Sequence, residues 1–491
     1  MSGILRFAAV AMSGLALGAC STDPPAGVKP EEMPKAFTAP VASGAPVWPS
    51  TTWWTGFSSD ELSALETTAQ QNNLDLAAAA ARVIQARANS GIAASALFPA
   101  VDLGANASRG ASSVSTGKGK STTVTGNSFG LSLNASYELD FWGLAQDNLR
   151  AAQNSARAAL YAQRVVALTV SSDVANTYLD VLALRDRIAI ARKNVDAAKR
   201  ILSITEAKVT NGVSSNLELA QQRAIVAGEE AIIPALEEQE REARYALAVL
   251  LGRVPEGFDV KAQTIEGVVA PSVAPGMPAA LLVRRPDIAA AEANLLSAHA
   301  SLDAARAAFL PAIGLTGSGG YASSQIGNLI NPSNLAWSVG ASLLQTIFDG
   351  GLKTSETDVA RGREMELVAT YRSTVFNALS DVESSLGQVS SLADQERLNT
   401  EQVNAAAEAF RIAELQYREG VADLLAVLQT QQTLFTAQDT LVQVKLARLQ
   451  SNISLYRALG GGWTVDADSQ EPTRNDFQPV PILSAGDMIK G

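Results

Sequence analysis

One cysteine and one histidine are the side chains of this sequence best suited to chemistry. A disulfide needs two cysteines, and a Cys/His metal site needs several such ligands. His299 stands among alanines in "SAHASLDAARAAF", which is typical of plain helix packing, and "GSGG" at 317–320 lies within a predicted strand instead of at a phosphate-binding turn. An enzyme needs a positioned nucleophile, base or cofactor cradle. We therefore predict that the protein is not an enzyme and holds no metal or cofactor.

Cys20 follows a secretory signal. The chain begins with "MSGILRFAAVAMSGLALGAC", in which Arg6 precedes a largely apolar run that is too short to span a membrane. The run ends in "LGAC", which resembles a bacterial lipobox. Its chemistry predicts a thioether-linked lipid on Cys20 and cleavage before it, so that 1–19 is a signal peptide and 20–57 a lipidated extended segment. Ser21, where aspartate would resemble an inner-membrane retention signal, favours the outer membrane. The alternative is an ordinary signal peptide with an incidental cysteine.

The charge balance argues against nucleic acid as a partner. The net charge is −11, and lysine and arginine are scattered along the chain. A nucleic-acid groove needs clustered positive charge. The alanine-rich, strongly patterned sequence is instead typical of closely packed helices.

The chain contains an internal repeat. The turn "VTNGVSSNLELAQQ" returns as "YREGVADLLAVLQTQQ", and many further positions match, at an offset of 212 residues early in the repeat and 208 residues later in it. The matched pairs are Gly212 and Gly420, Val213 and Val421, Leu217 and Leu425, Gln221 and Gln429, Asp75 and Asp287, and Pro99 and Pro311. Such self-similarity indicates two copies of one structural unit. We place repeat 1 at 58–252, a linker at 253–278, repeat 2 at 279–462 and a C-terminal tail at 463–491.

Long helices dominate each predicted repeat. One helix is expected from about Ser59 to Phe98, and a second over 144–211, which at 1.5 Å per residue is about 100 Å long. In each repeat a glycine ends the longest helix as a left-handed C-cap, and Ser215 or Asp423 supplies the N-cap of the next one. We therefore predict one helical hairpin in each repeat. The cautious interpretation is that these turn residues only cap helices.

Two alternating segments per repeat predict membrane-crossing strands, at about 100–113, 127–141, 311–323 and 335–348. Each segment is long enough to cross the bilayer as a tilted strand, with an apolar face outward and small or polar residues inward. A polar loop, "RGASSVSTGKGKSTTVTGN", is expected between the first two. Open strand edges cannot exist in lipid, so the barrel must be shared: two chains give eight strands, three give twelve. The alternative is a soluble fold with two small hairpins.

The sequence resembles the TolC-type outer membrane efflux proteins, in the lipoprotein branch with OprM- and NodT-like members. The resemblance covers nearly the whole mature chain, and it rests on "LGAC", "WWTGF", "NNLDLAAAAARV", "YELDFWG", "LLVRRPDIAAAEANL", "AARAAFLPAIGLTG", "YREGVADLLAVLQTQQ" and "LGGGW". It implies an α+β membrane channel, with a homotrimer forming a 12-stranded β-barrel in the outer membrane and a 12-helix α-barrel across the periplasm. It also implies a periplasmic adaptor and an inner-membrane pump of the RND class as partners.

The resemblance assigns the repeated turns to the periplasmic tips, where the duct closes and the adaptor docks. The implied docking residues are Gly212, Val213, Glu218, Gly420, Val421 and Asp423, and the implied pore constriction comprises Leu425 and Gln429. Many relatives carry aspartates six and nine residues after the second glycine, where this chain has Ala426 and Gln429. A strong cation-binding ring is therefore not expected. Two alternative functions remain open, a type I protein-secretion channel and a non-conducting coiled-coil tether.

Overall fold

A computed structural model describes residues 33–39, 47–115, 121–269, 271 and 276–464. The predicted signal peptide, Cys20 and almost all of the C-terminal tail lie outside the described residues. The elements follow in the order α1 (Asp60–Asn72), α2 (Leu74–Ser95), β1 (Ala100–Ser115), β2 (Ser121–Glu138), α3 (Leu144–Thr210), α4 (Asn216–Leu250), α5 (Pro286–Ala307), β3 (Ala312–Ser323), β4 (Leu335–Leu344), α6 (Leu352–Arg418) and α7 (Leu424–Ala458).

The described chain divides into two compact units. The strand unit takes in Val83–Ala159 and Ala291–Tyr371, and so holds all four strands. The helical unit takes in the described residues up to Arg82, the segment Leu160–Ala290, and the residues from Arg372 onward. Within the described ranges, none of the helices is both long enough and apolar enough to cross a membrane.

The strand unit contains one antiparallel sheet in the order β1-β2-β3-β4. The central pair joins the two halves of the sequence, with Leu131 opposite Tyr321. Each outer pair is a hairpin from one half. The sheet therefore ends in two edge strands, β1 and β4, which belong to different repeats.

The first hairpin is longer than the sequence indicated. The predicted polar loop is largely strand, because β1 continues to Ser115 and pairs with β2 from Ser121 onward. Serine and threonine can extend a strand in water when the backbone groups of both strands are paired, and Thr has a high strand propensity. The other strand ends also differ, since β2 stops at Glu138 and β4 at Leu344.

The two faces of the sheet have opposite character. The register places one set of large apolar residues on a common face, and the exposed members include Val101, Leu103, Leu133, Leu315, Leu335, Trp337, Val339 and Leu343. The opposite face carries mainly small or polar residues, which include Gly104, Asn106, Ser132, Asn134, Thr316, Ser318, Ser338 and Ser342. An apolar face this exposed is unusual for a sheet in water, and it fits one that faces lipid.

The first predicted helix is two helices, α1 and α2, broken at Asn73. Asn73 has extended backbone geometry, with φ −63° and ψ 130°. Its Oδ1 accepts hydrogen bonds from the backbone N–H groups of Asp75 and Leu76, at 2.9 and 3.0 Å. Asparagine competes with helical hydrogen bonding in this way and favours an N-cap. The expectation of one continuous helix was therefore wrong.

The hairpin helices of the two repeats have equal lengths. Both α3 and α6 contain 67 residues, and both α4 and α7 contain 35. The carbonyl of the last residue of α4, Leu250, accepts a hydrogen bond from Asn73 Nδ2 at 2.8 Å. The carbonyl of the last residue of α7, Ala458, accepts one from Arg285 Nη1 at 3.1 Å. Residues at equivalent positions, each directly before a helix of its own repeat (α2 or α5), thus bind the two hairpin ends.

Two extended segments attach to the helical unit in the same manner. Glu61 accepts hydrogen bonds from the successive backbone N–H groups of Lys261 and Ala262, at 2.7 and 2.9 Å. Glu383 likewise accepts from Thr38 and Ala39, at 2.7 and 2.9 Å. One carboxylate that accepts two adjacent N–H groups satisfies backbone donors that an extended segment would otherwise leave unpaired.

The largest apolar core lies within the helical unit. It joins α1, α3, α4 and α7 around Phe57, Leu62, Leu179 and Leu247. Glu66 is completely buried in this unit, and neither carboxyl oxygen has a hydrogen bond of normal geometry. Burial raises the pKa of Glu66 to about 8, an effect that the nearby Ser171 hydroxyl only partly offsets.

Candidate functional site at the two helix turns

The first turn ends α3 in a Schellman motif. Gly212 has φ +74°, its N–H donates to Val209 O, and the Val213 N–H donates to Lys208 O, both at 2.9 Å. A Cβ added to Gly212 would meet nothing within 4 Å. Glycine is therefore favoured here by the backbone angle and not by lack of space.

The second turn ends α6 with the same motif. Gly420 has φ +77°, its N–H donates to Tyr417 O at 3.1 Å, and the Val421 N–H donates to Gln416 O at 2.8 Å. A Cβ on Gly420 would also meet open space. The positive φ angles predicted for the two glycines are confirmed.

Each turn passes into its next helix through a side-chain cap. Ser215 accepts a hydrogen bond from the Glu218 N–H at 3.3 Å, and Asp423 accepts one from the Ala426 N–H at 3.0 Å. The Glu218 carboxylate, which is partly buried, accepts a hydrogen bond from the Ser214 hydroxyl. The N-cap assignments of Ser215 and Asp423 are thus confirmed, while Glu218 is engaged within its own turn.

Apolar side chains project from both turns. Val213 and Leu217 are 75% and 67% exposed in the first turn, and Val421 and Leu425 are 77% and 57% exposed in the second. In contrast, Leu424 is buried. Exposed apolar residues that recur at equivalent positions indicate surfaces that meet another molecule or another copy of the chain.

Leu425 and Gln429 lie four residues apart on an exposed face of α7. Leu217 and Gln221 repeat this spacing on α4, where both are also exposed. Residues four apart are neighbours on a helix surface. Each hairpin therefore presents one leucine and one glutamine together, beside its turn.

A polar link connects the ends of α3 and α6. The hydroxyls of Thr205 and Tyr417 lie 3.1 Å apart, and Lys208 Nζ donates to Tyr417 O at 2.5 Å. The Lys208 ammonium also lies 4.4 Å from the centre of the Tyr417 ring. A cation at the carboxyl end of a helix stabilises the exposed carbonyls there. This link brings the predicted docking residues of the two turns into one region of the helical unit.

Sequence reasoning missed Thr205, Lys208 and Tyr417. One signal was available, because Tyr417 replaces the Val209 of the first repeat inside an otherwise matched turn. An aromatic side chain of this size that remains 2% exposed must have a packing partner. The identity of that partner depends on how α3 packs against α6, which repeat matching does not reveal.

Ion pairs connect the two helices of the first hairpin along its length. The pairs between α3 and α4 are Arg185–Glu240 at 2.9 Å, Arg192–Glu237 at 2.7 Å, Lys199–Glu230 at 2.6 Å and Glu206–Arg223 at 3.1 Å. Across the second hairpin, Arg448 of α7 pairs with Glu396 of α6 at 2.6 Å. In the part of the chain that the structure describes, the first hairpin is therefore the more strongly cross-linked of the two.

His299 lies on α5 in the strand unit, away from the turns in sequence. Its Nδ1 is 2.7 Å from Glu364 Oε1 on α6, and its Nε2 is 3.7 Å from Asp303 Oδ2. These contacts place the ring between α5 and α6 beside two carboxylates, which the prediction of plain packing among alanines did not include. No group of three or more His, Cys, Asp or Glu side chains in the described residues is arranged to hold a metal ion.

Paired long hairpins, a two-faced four-stranded sheet and duplicated turns define an outer membrane channel built from tandem repeats. The chain matches the family described as outer membrane efflux protein over residues 65–253 and 277–461, and it belongs to that family. It is accordingly an outer membrane efflux channel with the TolC-type α+β fold.

Relatives extend the match to nearly full length. The chain is 39% identical to the pyoverdine export outer membrane protein OpmQ of Pseudomonas putida, over 94% of this chain and 97% of OpmQ. It is 30% identical to the cation efflux system protein CusC of Escherichia coli, over 91% of this chain and 97% of CusC. Among solved structures, the outer-membrane channel OprN superposes with a TM-score of 0.80 and 26% identity, covering 89% of this chain and 99% of OprN.

Proposed function

We propose that three copies of this chain form the working channel. The sheet of one chain has two unpaired edges, β1 and β4, and an exposed apolar face. Backbone groups at such edges cannot remain unpaired in lipid. Pairing β1 of one copy with β4 of the next satisfies both edges, and three copies give a closed barrel of twelve strands. The three pairs of hairpins then supply a twelve-helix barrel in the periplasm.

In this assembly the two turns form the periplasmic tip. Leu425 and Gln429 are assigned to the constriction, because they lie side by side on an exposed face next to the second turn. Closure by leucine and amide packing needs no charged ring. The proposed docking residues for the adaptor are Gly212, Val213, Glu218, Gly420, Val421 and Asp423, which are all exposed except the partly buried Glu218. The exposed valines at both turns support this role, since the tip of the adaptor must bury an apolar surface.

The channel is proposed to accept cargo from an inner-membrane pump of the RND class through a periplasmic adaptor. A covalent lipid on Cys20 is proposed as a second membrane anchor beside the barrel. The motif "LGAC" at 17–20, which ends in this cysteine, supports the anchor. No cofactor other than this lipid and no catalytic activity is proposed.

The observation that carries the proposal is the sheet with two open edges and one apolar face. Detergent-extracted protein measured by light scattering is expected to contain three chains. A stable monomer with full strand content would overturn the shared barrel. The Cys20→Ser variant is expected to remain unprocessed and to incorporate no labelled palmitate, and normal labelling of that variant would remove the lipid anchor from the proposal.

The constriction is tested by Leu425→Ser, which places a hydroxyl where apolar packing closes the tip. We expect raised conductance in planar bilayers, because water enters the constriction more easily. Leu217→Ser is the matched control on the first turn, and a smaller rise is expected from it. Gly420→Val should leave the trimer intact but abolish efflux, since the turn is misdirected. Unchanged conductance in Leu425→Ser together with intact efflux in Gly420→Val would show that the turns only connect helices.

A further inference from the structure

Buried amide groups differ between the two hairpins. On α4, Gln222 is fully buried, and its Nε2 donates to Ala198 O of α3 at 2.9 Å, while its Oε1 has no hydrogen-bond partner. The equivalent residue of α7, Thr430, bonds only to carbonyls of its own helix, those of Ala426 and Val427. A buried amide therefore ties the first hairpin together, and its counterpart does not do so in the second.

Gln431, the next residue of α7, is 1% exposed, and neither its Oε1 nor its Nε2 has a hydrogen-bond partner. It lies on the buried stripe formed by Leu424, Val427 and Leu434, at the three-and-four spacing of a coiled-coil core. These three residues belong to an apolar cluster that also includes Ile201 of α3. An amide thus occupies a position where an apolar side chain would pack best.

An unpaired amide in such a place destabilises the packed arrangement, because the group has lost water and gained no partner. If the α6–α7 hairpin moves away from α3, water reaches Gln431 and this cost is removed. The amide therefore favours the opened arrangement over the packed one. Each chain of a trimer would contribute one such group.

We propose that Gln431 is a gating residue, which keeps the closed tip only marginally stable so that adaptor binding can open it. The inference rests on the proposed function, since it requires that the tip closes the duct. Gln431 acts through the packing of α7 and does not touch cargo. It is thus a positioning residue for the constriction at Leu425 and Gln429.

The test compares Gln431→Leu with the wild type and with Gln222→Leu. Replacement of the unpaired amide by an apolar side chain should raise the melting temperature of the assembled protein by a few degrees. Gln222→Leu should lower it, because that variant breaks the bond to Ala198. A lowered melting temperature in Gln431→Leu would mean that the amide is satisfied, for instance by a bound water, and would overturn the proposal.

Gating is measured as conductance in planar bilayers. The measurement uses the Leu425→Ser variant as the background, because its closed tip is expected to leak. Adding Gln431→Leu should reduce that conductance at least about tenfold, because roughly a factor of ten is expected for each unpaired buried amide and every chain of the trimer loses one. Unreduced conductance in the double variant would overturn the gating role while leaving the constriction in place. If Leu425→Ser alone conducts like the wild type, the proposed closure of the tip is wrong. The melting temperatures of Gln431→Leu would still show whether the buried amide is unpaired.

A charged variant gives a readout that plain packing would not move. In Gln431→Glu the buried carboxyl is neutral at low pH and ionised at high pH, and an ionised buried group is far costlier than an amide. Conductance of this variant should therefore rise between pH 5 and pH 8, while the wild type stays flat across that range. If the conductance of Gln431→Glu does not depend on pH, the side chain at position 431 is already exposed to water. That result would contradict the proposal.

Discussion

The two hairpins have identical lengths and identical turn motifs, yet they are held by different contacts. The first is cross-linked by a series of ion pairs and by the Gln222–Ala198 bond. The second has the Arg448–Glu396 pair and an unpaired buried Gln431. Duplication has therefore preserved the geometry of the hairpin while the contacts that stabilise it have diverged.

The difference in contacts between the two hairpins indicates which of them moves more easily. A hairpin with fewer cross-links between its own helices deforms at lower cost, so we infer that α6 and α7 are the more mobile pair, although Arg187–Asp439 and Arg200–Glu414 hold them to α3. The link from Thr205 and Lys208 to Tyr417 then restrains the mobile pair against the first hairpin. Four sets of substitutions would break or sharpen this comparison, and the largest effects are expected far from the turns.

Glu66 should give the largest effect, and it belongs to the first repeat alone, since Pro278 occupies the matching position. Its pKa is raised by burial from 4.5 to about 8. Below pH 4.5 the group is neutral in both states, so it makes stability no more dependent on pH. As the pH rises from 4.5 to 8 only the unfolded chain releases the proton, and stability falls by about 1.4 kcal/mol per pH unit.

Glu66→Gln should remove this dependence, so that the melting temperatures at pH 5 and pH 8 come closer together than in the wild type. Asp173 and Asp180 also have pKa values raised by burial, so their contribution to the pH dependence has the same sign. An unchanged slope in the variant would show that the carboxyl of Glu66 is hydrated in solution.

Arg285 and Asn73 occupy equivalent positions but should differ in importance. Arg285 contacts Asp287 and Asp381 in addition to the Ala458 carbonyl, and its side chain is 11% exposed. Arg285→Ala should cost about 2–3 kcal/mol, since it removes several charge-assisted hydrogen bonds but leaves Asp287 and Asp381, which are 31% and 54% exposed, accessible to water. Asn73→Ala should cost about 1–2 kcal/mol, through loss of the helix cap. Denaturant titrations of the two variants measure these losses in the free energy of unfolding. Equal losses would contradict the interpretation that ion pairs contribute more at this position of the second repeat than at the equivalent position of the first.

The Tyr417 hydroxyl tests the link between the hairpins. Tyr417→Phe removes the contact with Thr205 and keeps the ring beneath Lys208, so about 1 kcal/mol of stability should be lost. Bilayer conductance should rise modestly as the second hairpin is released. Thr205→Val is the matched partner, and the double variant should lose no more than either single one. Additive effects would show that the two hydroxyls do not interact.

The exposed ion pairs should contribute least. Glu237→Gln breaks the pair with Arg192, whose side chain is 62% exposed, and should cost under about 1 kcal/mol. Arg448→Ala should cost more, because the partner Glu396 is only 22% exposed and the second hairpin has fewer alternatives. Melting temperatures measured at low and high salt distinguish the contributions of the Arg192–Glu237 and Arg448–Glu396 pairs, since screening weakens the more exposed pair first.

Local features of this fold could be predicted from the sequence, and packing could not. The glycine angles and the caps at Ser215 and Asp423 depend on a few adjacent residues, so a repeated motif was enough to find them. The helix break at Asn73 was missed because an asparagine within a helical pattern favours a break only weakly. Lys208 and Tyr417 were missed because their contact joins residues from different repeats, and no periodicity records which helix faces pack together.

The two open edges of the sheet have a consequence for the synthesis of the channel. A newly made chain presents unpaired strand edges that can pair with any exposed strand, which makes the isolated subunit prone to aggregation. On the proposed assembly, completion of the barrel requires copies of the same chain to meet, so the yield depends steeply on local subunit concentration. The single chain is then a short-lived intermediate, and expression level, in addition to sequence, determines how much functional channel a cell obtains.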